Sequence, residues 1–357
     1  MKKFSQITRI KFSLMVLSFL FSFLWVMNSC PPFSSSVFAQ DEEERQEEDE
    51  DEEMAKKPVP KPVEISGATL RTKDRVYLSA TFYPGNRGKK SVPLILLHGW
   101  GGSQKDGAEL AKYLQKEGHA VLVPDLRGHG KSTKKEEAPE VYKEISCEKL
   151  SSKKQSILFR EMLEYDLPKL KAYLREENNK GNLNIDKLGI IGIESGAVLA
   201  AQFAAKDWNP NVRREGKANP RMGDVKAVIL ISPLKQFGGV DLWKLWSANP
   251  LWAKNLSGLV LCGTTSRSSK ISDPESVEKN MLEAIRKNGG NEKPVIIKQG
   301  KKEKDEEVKK VYAFEIKTKS QGENLIASQE ENSTEMATIS KFITLRLKNR
   351  YFDWVER

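Results

Sequence analysis

Histidine is almost missing from this chain. There are three in 357 residues, His98, His119 and His129, and none follows residue 129. Cysteine is as scarce, with three, which excludes a disulfide scaffold. The His119 to His129 spacing matches no metal-ligand pattern, and the cysteines are too dispersed for a zinc site, so no metal is expected. Glycine-rich stretches at 98–102 and 127–130 fit neither a phosphate-binding loop nor a dinucleotide fingerprint, so no cofactor is expected. Only one stretch approaches membrane-spanning length, which excludes a polytopic membrane protein. At 38% hydrophobic residues the chain is too apolar to be wholly disordered.

What charge there is lies unevenly. The formal net charge is +10, yet residues 41–53 hold eleven acids and one base, leaving a strongly basic body from 54 onward. No finger spacing or RNA-recognition run accompanies that basic body, so no nucleic-acid partner is expected. Residues 1–11 are basic, Phe12–Met27 is an apolar run, and Val37-Phe38-Ala39 offers a small residue before Gln40. This is the layout of a signal peptide over 1–39, and export to a secreted, periplasmic or other extracytoplasmic location is expected. Two competing readings attach the chain to a membrane: an uncleaved anchor, or a lipid on Cys30 within a degenerate lipobox. Residues 40–62 read as a disordered acidic tail followed by an extended Pro/Lys linker. Cys147 and Cys262 remain in the mature chain, where one disulfide is possible.

From residue 63 to 357 the pattern alternates between short apolar runs and helical periodicity. Thr69–Thr72 and Val76–Tyr83 suggest an opening antiparallel hairpin. Pro93–Leu97, Ala120–Pro124, Lys187–Ile193, Val225–Ile231, Leu259–Cys262 and Val311–Ile316 read as strands. Helical spacing covers Asp106–Lys116, Leu158–Leu174, Gly196–Ala205, Pro274–Lys287 and Glu335–Leu347. The fold class is therefore α/β, a mostly parallel sheet with helices on both faces, in one domain. His119 follows a helix end, where a solvated or capping role is expected.

Three stretches, LILLHGWGGS at 94–103, VLVPDLRGHGKS at 121–132 and KLGIIGIESGAVLAAQFAA at 187–205, resemble the α/β-hydrolase superfamily of the serine-hydrolase type. The resemblance covers roughly residues 65–350. It implies a nucleophile elbow, G-x-S-x-G, on a strained strand-to-helix turn. Here that frame is Gly192-Ile193-Glu194-Ser195-Gly196, with glutamate in the nucleophile position and serine one place late. A register shifted to Ser195 would put Ile193 and Ala197 in the glycine places, and the β-branched isoleucine would crowd the turn. Glu194 acting as the nucleophile itself is a further alternative. It resembles the aspartate of epoxide hydrolases on this fold, but one methylene too long.

The rest of the implied triad is degenerate. The family carries its histidine late in the chain, and Gln321 in KSQGENL takes that slot. The acid slot after the strand Leu259–Cys262 is Ser266. Glutamine cannot accept and return a proton near neutral pH. His98 and His129 match structural positions of the family. The implied oxyanion donors are the backbone N–H groups of Trp100 and Ser195, and Glu194 is expected to satisfy them internally. Trp243, Trp246 and Trp252 lie where such folds carry a small cap; they either pack over the sheet or face a pocket. The expectation is an exported homologue that has lost hydrolase activity and binds a small molecule, glycan or protein. The alternative is an active esterase, lipase or peptidase using Ser195 with an unconventional base.

Overall fold

Strands made wholly of Leu, Ile and Val need cover on both faces, and this chain supplies it. The structure, a computed structural model, describes residues 58–208, 223–247, 255–263, 270–287, 310–327 and 333–357. The expected signal peptide and acidic tail fall outside the described residues, as do Ser266 and Trp252.

In chain order the strands are β1 (Val63–Ile65), β2 (Val76–Tyr77), β3 (Ser79–Tyr83), β4 (Pro93–Leu97), β5 (Ala120–Asp125), β6 (Lys134–Ala138) and β7 (Val141–Glu144). They continue with β8 (Leu188–Ile193), β9 (Val225–Ile231), β10 (Gln236–Phe237), β11 (Val240–Asp241), β12 (Ser257–Gly263) and β13 (Val311–Ile316). Helices are α1 (Ala108–Lys116), α2 (Ser152–Glu161), α3 (Leu167–Asn179), α4 (Ser195–Asp207), α5 (Leu242–Ser247), α6 (Pro274–Lys287), α7 (Glu323–Ile326) and α8 (Thr334–Ile343). Eight strands form the central sheet in the order β1-β3-β5-β4-β8-β9-β12-β13. From β5 to β13 every neighbouring pair is parallel, while β3 runs antiparallel to both β5 and β1.

Alternation along each strand divides the core. Ile95, Leu97, Ile190, Val228, Leu230 and Val260 face one layer, built from α2, α3, α4 and α6. Leu94, Leu96, Ile191, Ile229, Leu259 and Leu261 face the other, built from α1 and α8. Between α2 and α3, Met162–Asp166 is a π-helical turn. It precedes Pro168, which cannot donate to the ladder and would press on a carbonyl one turn back, and the widened turn makes room. Ser151 caps α2 and Ser333 caps α8 by accepting a backbone N–H.

Three expectations are corrected. Gly67–Leu70 is a 3-10 turn rather than a strand, and only Arg71 bridges to Tyr77. Apolar–polar alternation over four residues suits either backbone, and β1 takes the pairing edge of β3 instead. His119 is buried, not solvated, because Gly118 turns the chain straight into β5 beneath α1. Burial, with Arg87, Lys348 and Lys187 nearby, pushes its pKa down to about 3. Cys147 and Cys262 are both buried thiols, and no disulfide joins them.

The turn after β5 is held by a buried ion network. Arg127 is fully buried and donates through Nε and Nη2 to Asp166 at 2.8 and 2.7 Å, and through Nη1 and Nη2 to Asp74 at 2.7 and 2.9 Å. Its Nη1 also reaches Glu161 at 3.1 Å. Burial alone would lower the guanidinium pKa, but Asp166 and Asp74 outweigh it and raise it. The turn that positions the neighbouring His129 is thereby locked.

Candidate active site

The strand β8 runs directly into α4, and the single residue between them is Glu194. Its backbone sits at φ 50°, ψ −107°, a region costing a non-glycine residue about 1–3 kcal/mol. Gly192 and Gly196 make the turn possible. A Cβ on Gly192 would stand 2.3 Å from the Gly196 carbonyl oxygen, and one on Gly196 2.4 Å from that of His98. Glu194 N–H donates to Ile231 C=O at 2.9 Å, tying the apex to the end of β9.

The Glu194 side chain turns toward two glycines. A Cβ at Gly322 would meet its Oε1 at 2.5 Å, and one at Gly99 its Oε2 at 3.5 Å. No cation pairs with it among the described residues. Burial, followed by the negative charge of Glu323, raises its pKa. A second carboxylate beside the apex is a feature the sequence reading missed, although Glu323 lies two residues after Gln321.

Ser195 is the first residue of α4 and almost fully buried. Its Oγ accepts the backbone N–H of Trp100 at 2.7 Å. This corrects the expectation that Glu194 would satisfy that donor. The helical start directs the serine hydroxyl back onto the 98–102 loop, whereas the carboxylate leaves the apex toward Gly322. One of the two implied oxyanion donors is therefore occupied by a hydroxyl of the chain itself.

Gln321 is immobilised. Its Oε1 accepts from Ser232 Oγ at 2.9 Å and from Gly263 N–H at 3.3 Å, while its Nε2 donates to Gly263 C=O at 2.8 Å. Ser232, itself at φ 45°, accepts Gly322 N–H on the same Oγ at 3.0 Å. The amide thus pairs with the backbone at the end of β12 much as a strand would, and it places Gly322 against Glu194. The backbone of Trp243 and Trp246 lies in α5, but their side chains fall outside the described residues, as do Ser266 and Trp252.

The histidines of the 98–130 region are close by. His98 Nδ1 pairs with Gly99 C=O at 2.7 Å and its Nε2 accepts Leu126 N–H at 3.1 Å. Both ring nitrogens are thus engaged, and burial pushes its pKa down to about 4. His129 Nδ1 pairs with Arg127 C=O at 3.0 Å, while its Nε2 is buried without a partner. His129 packs edge-on to Trp100 with ring centroids 5.0 Å apart. The two histidines, Trp100, Phe159 and Ser195 line a small, partly open space of about 10 Å³. That is room for one water at most, far too small for an ester.

Comparison with known proteins adds three findings. Residues 92–256 match the family model for the alpha/beta hydrolase fold. Lipase 1 of Psychrobacter immobilis is 35% identical over 72 residues, which are 20% of this chain and 20% of the lipase. The aligned stretch thus spans about a fifth of that relative's length. Among solved structures, an esterase of Pyrococcus furiosus aligns at 15% identity over 80% of this chain and 91% of its own, with a TM-score of 0.49. Fungal esterases from Rhizomucor miehei align at 15% identity over 91% of this chain and 96% of theirs, with a TM-score of 0.48.

Proposed function

Because the chain belongs to the α/β-hydrolase superfamily, we propose that it keeps the frame of a serine hydrolase without the reaction, and works outside the cytoplasm as a binding or structural module. The observation carrying this reading is the apex itself. Glu194, at φ 50°, stands where the attacking hydroxyl belongs. Among the described residues its carboxylate has no cation beside it, and a second acid lies nearby. A fixed negative charge there opposes the negative charge that ester attack would build. Gln321, held by Gly263 and Ser232, cannot relay a proton. In a serine hydrolase, losing either the nucleophile or the base costs about a million-fold. Export rests on the basic, apolar and small-residue succession of residues 1–39. The ligand would be a small molecule, a glycan or a protein.

A second reading rests on one specific observation. His129 Nε2 is unpartnered and lines the same small space as Ser195, so a Ser195–His129 pair is the best available base and nucleophile. The size of that space argues against it, since about 10 Å³ has no room for an acyl group beside Ser195.

Hydrolysis of short p-nitrophenyl esters by the full-length chain at high concentration separates the readings. The expected rate equals the buffer rate and is the same for Ser195→Ala. Turnover that disappears in Ser195→Ala and in His129→Phe would overturn the proposal.

A further inference from the structure

At the opposite end of the parallel strands lies a buried arginine without a counter-charge among the described residues. Strands β12 and β13 start side by side, and Gly258 N–H donates to Lys310 C=O at 2.9 Å. Beside Gly258, Ser257 Oγ accepts Arg346 Nε at 2.8 Å. Arg346 stands in the π-helical turn that closes α8 and is only 3% exposed. Its Nη1 is buried with no hydrogen-bond partner. Neither Arg346 nor Arg350 has a carboxylate within ion-pair distance among the described residues, and the charges that bear on Arg346 are those of Arg350 and Tyr312. Burial and then Arg350 hold the Arg346 pKa down to about 10. Burial and then Arg346 and Arg350 push the Lys310 ammonium down to about 8. Lys310 and Arg350 are both half-exposed, so the cluster opens to solvent beside the buried guanidinium.

Chains do not normally bury a guanidinium beside two other cations. An unpartnered buried charge is expensive, and like charges within a few ångström add to the cost. The arrangement becomes favourable once a dianion fills it. Arg346 Nη1 then gains its missing acceptor in a dry setting, and Arg350 and Lys310 supply charge from the open side. Seven residues of β12 span about 20 Å, so this cluster lies well away from the apex at Glu194, which stands at the C-terminal end of its strand.

We propose that Arg346, Arg350, Lys310 and Ser257 form a binding site for a phosphate group, free or carried as a monoester. Arg346 donates from within, and Ser257 fixes its orientation. The site is separate from the elbow and independent of whether the elbow catalyses anything.

The test is thermal unfolding of the full-length chain in mild detergent, titrated with inorganic phosphate, with glycerol 3-phosphate, and with sodium chloride at matched ionic strength. The expected result is a saturable rise in Tm, about 5 °C at a hundred half-saturation concentrations, with phosphate and not with chloride. Arg350→Gln, a substitution at a half-exposed position, should fold normally and shift half-saturation upward at least ten-fold. Arg346→Met should abolish the response while leaving the phosphate-free Tm unchanged or higher. Lower half-saturation for glycerol 3-phosphate assigns the site to monoesters, and the reverse assigns it to free phosphate. A rise that does not saturate, that chloride reproduces, or that persists unchanged in Arg350→Gln overturns the proposal.

Discussion

Two arginines of this protein are buried to nearly the same degree and live in opposite electrostatic worlds. Arg127 is enclosed by Asp166, Asp74 and Glu161, and every guanidinium nitrogen has a carboxylate partner. Arg346 has one neutral acceptor, Ser257, and a neighbouring arginine. The carboxylates raise the pKa of the first, whereas burial and Arg350 lower that of the second. Burial therefore does not decide what an arginine is for. A charge surrounded by its complement holds the fold together, and one deprived of it points to something that must come from outside.

Breaking that contrast should give the largest effect on the paired side. Asp166→Asn removes the fully buried counter-charge of Arg127 and should cost about 3–5 kcal/mol of unfolding free energy, read by urea denaturation. Arg346→Met removes a charge that has no complement among the described residues, and should stay within about 1 kcal/mol of the parent without phosphate. Equal losses in the two variants would mean that Arg346 has a structural partner after all.

The histidines sharpen the contrast by showing a third way to bury a titratable group, which is to keep it neutral. The pKa values of His98 and His119 lie at about 4 and about 3, below the ordinary value of 6.5. For a base whose folded pKa is depressed, stability is fully present above the unfolded value and is lost as pH falls below it. Between pH 7 and pH 5 each histidine should therefore withdraw about 2 kcal/mol. His119→Gln should remove about half of the combined loss, measured as the difference in urea-unfolding free energy at the two pH values. An unchanged pH slope would mean that His119 protonates as readily folded as unfolded.

How much of this was legible in the sequence depends on the range of the interaction. The strands Pro93–Leu97 and Val225–Ile231 and the helix Pro274–Lys287 could be read residue for residue, because burial on both faces, or on one helical stripe, is written in consecutive side chains, whereas the edge strand Val311–Ile316 showed through its β-branched and aromatic residues. The Gly192–Gly196 spacing marked the apex for the same reason: both glycines respond to one local turn. The β6–β7 hairpin was hidden, since its charged residues stay exposed or half-exposed and leave no apolar signature. So was the bond from Trp100 N–H to Ser195 Oγ, which joins residues 95 apart and exists only after the sheet has closed. Arg346 was hidden in a different way. In KFITLRLKNR it looks like one more surface cation of a basic chain end. Only its burial beside Ser257, with Nη1 unsatisfied, separates it from the others.

The smallest effect belongs to Glu194, the acidic counterpart of Arg346. Among the described residues it too lacks a counter-charge, but it is only half-buried, so solvent carries part of the burden. Burial and Glu323 raise its pKa. For an acid shifted in that direction, the folded state holds its proton longer than the unfolded one. Stability therefore falls as pH rises from the ordinary carboxylate value through the raised one, and the penalty persists at neutral pH. Glu194→Gln keeps the shape wedged between Gly99 and Gly322 and removes the charge. It should raise Tm by about 1–2 °C at pH 7.5 and leave it unchanged near pH 3, where the parent carboxyl is protonated in both states. A variant less stable than the parent at pH 7.5 would mean that the ionised carboxylate is held by a favourable contact, and the apex would then carry a charge that the fold wants rather than one it tolerates.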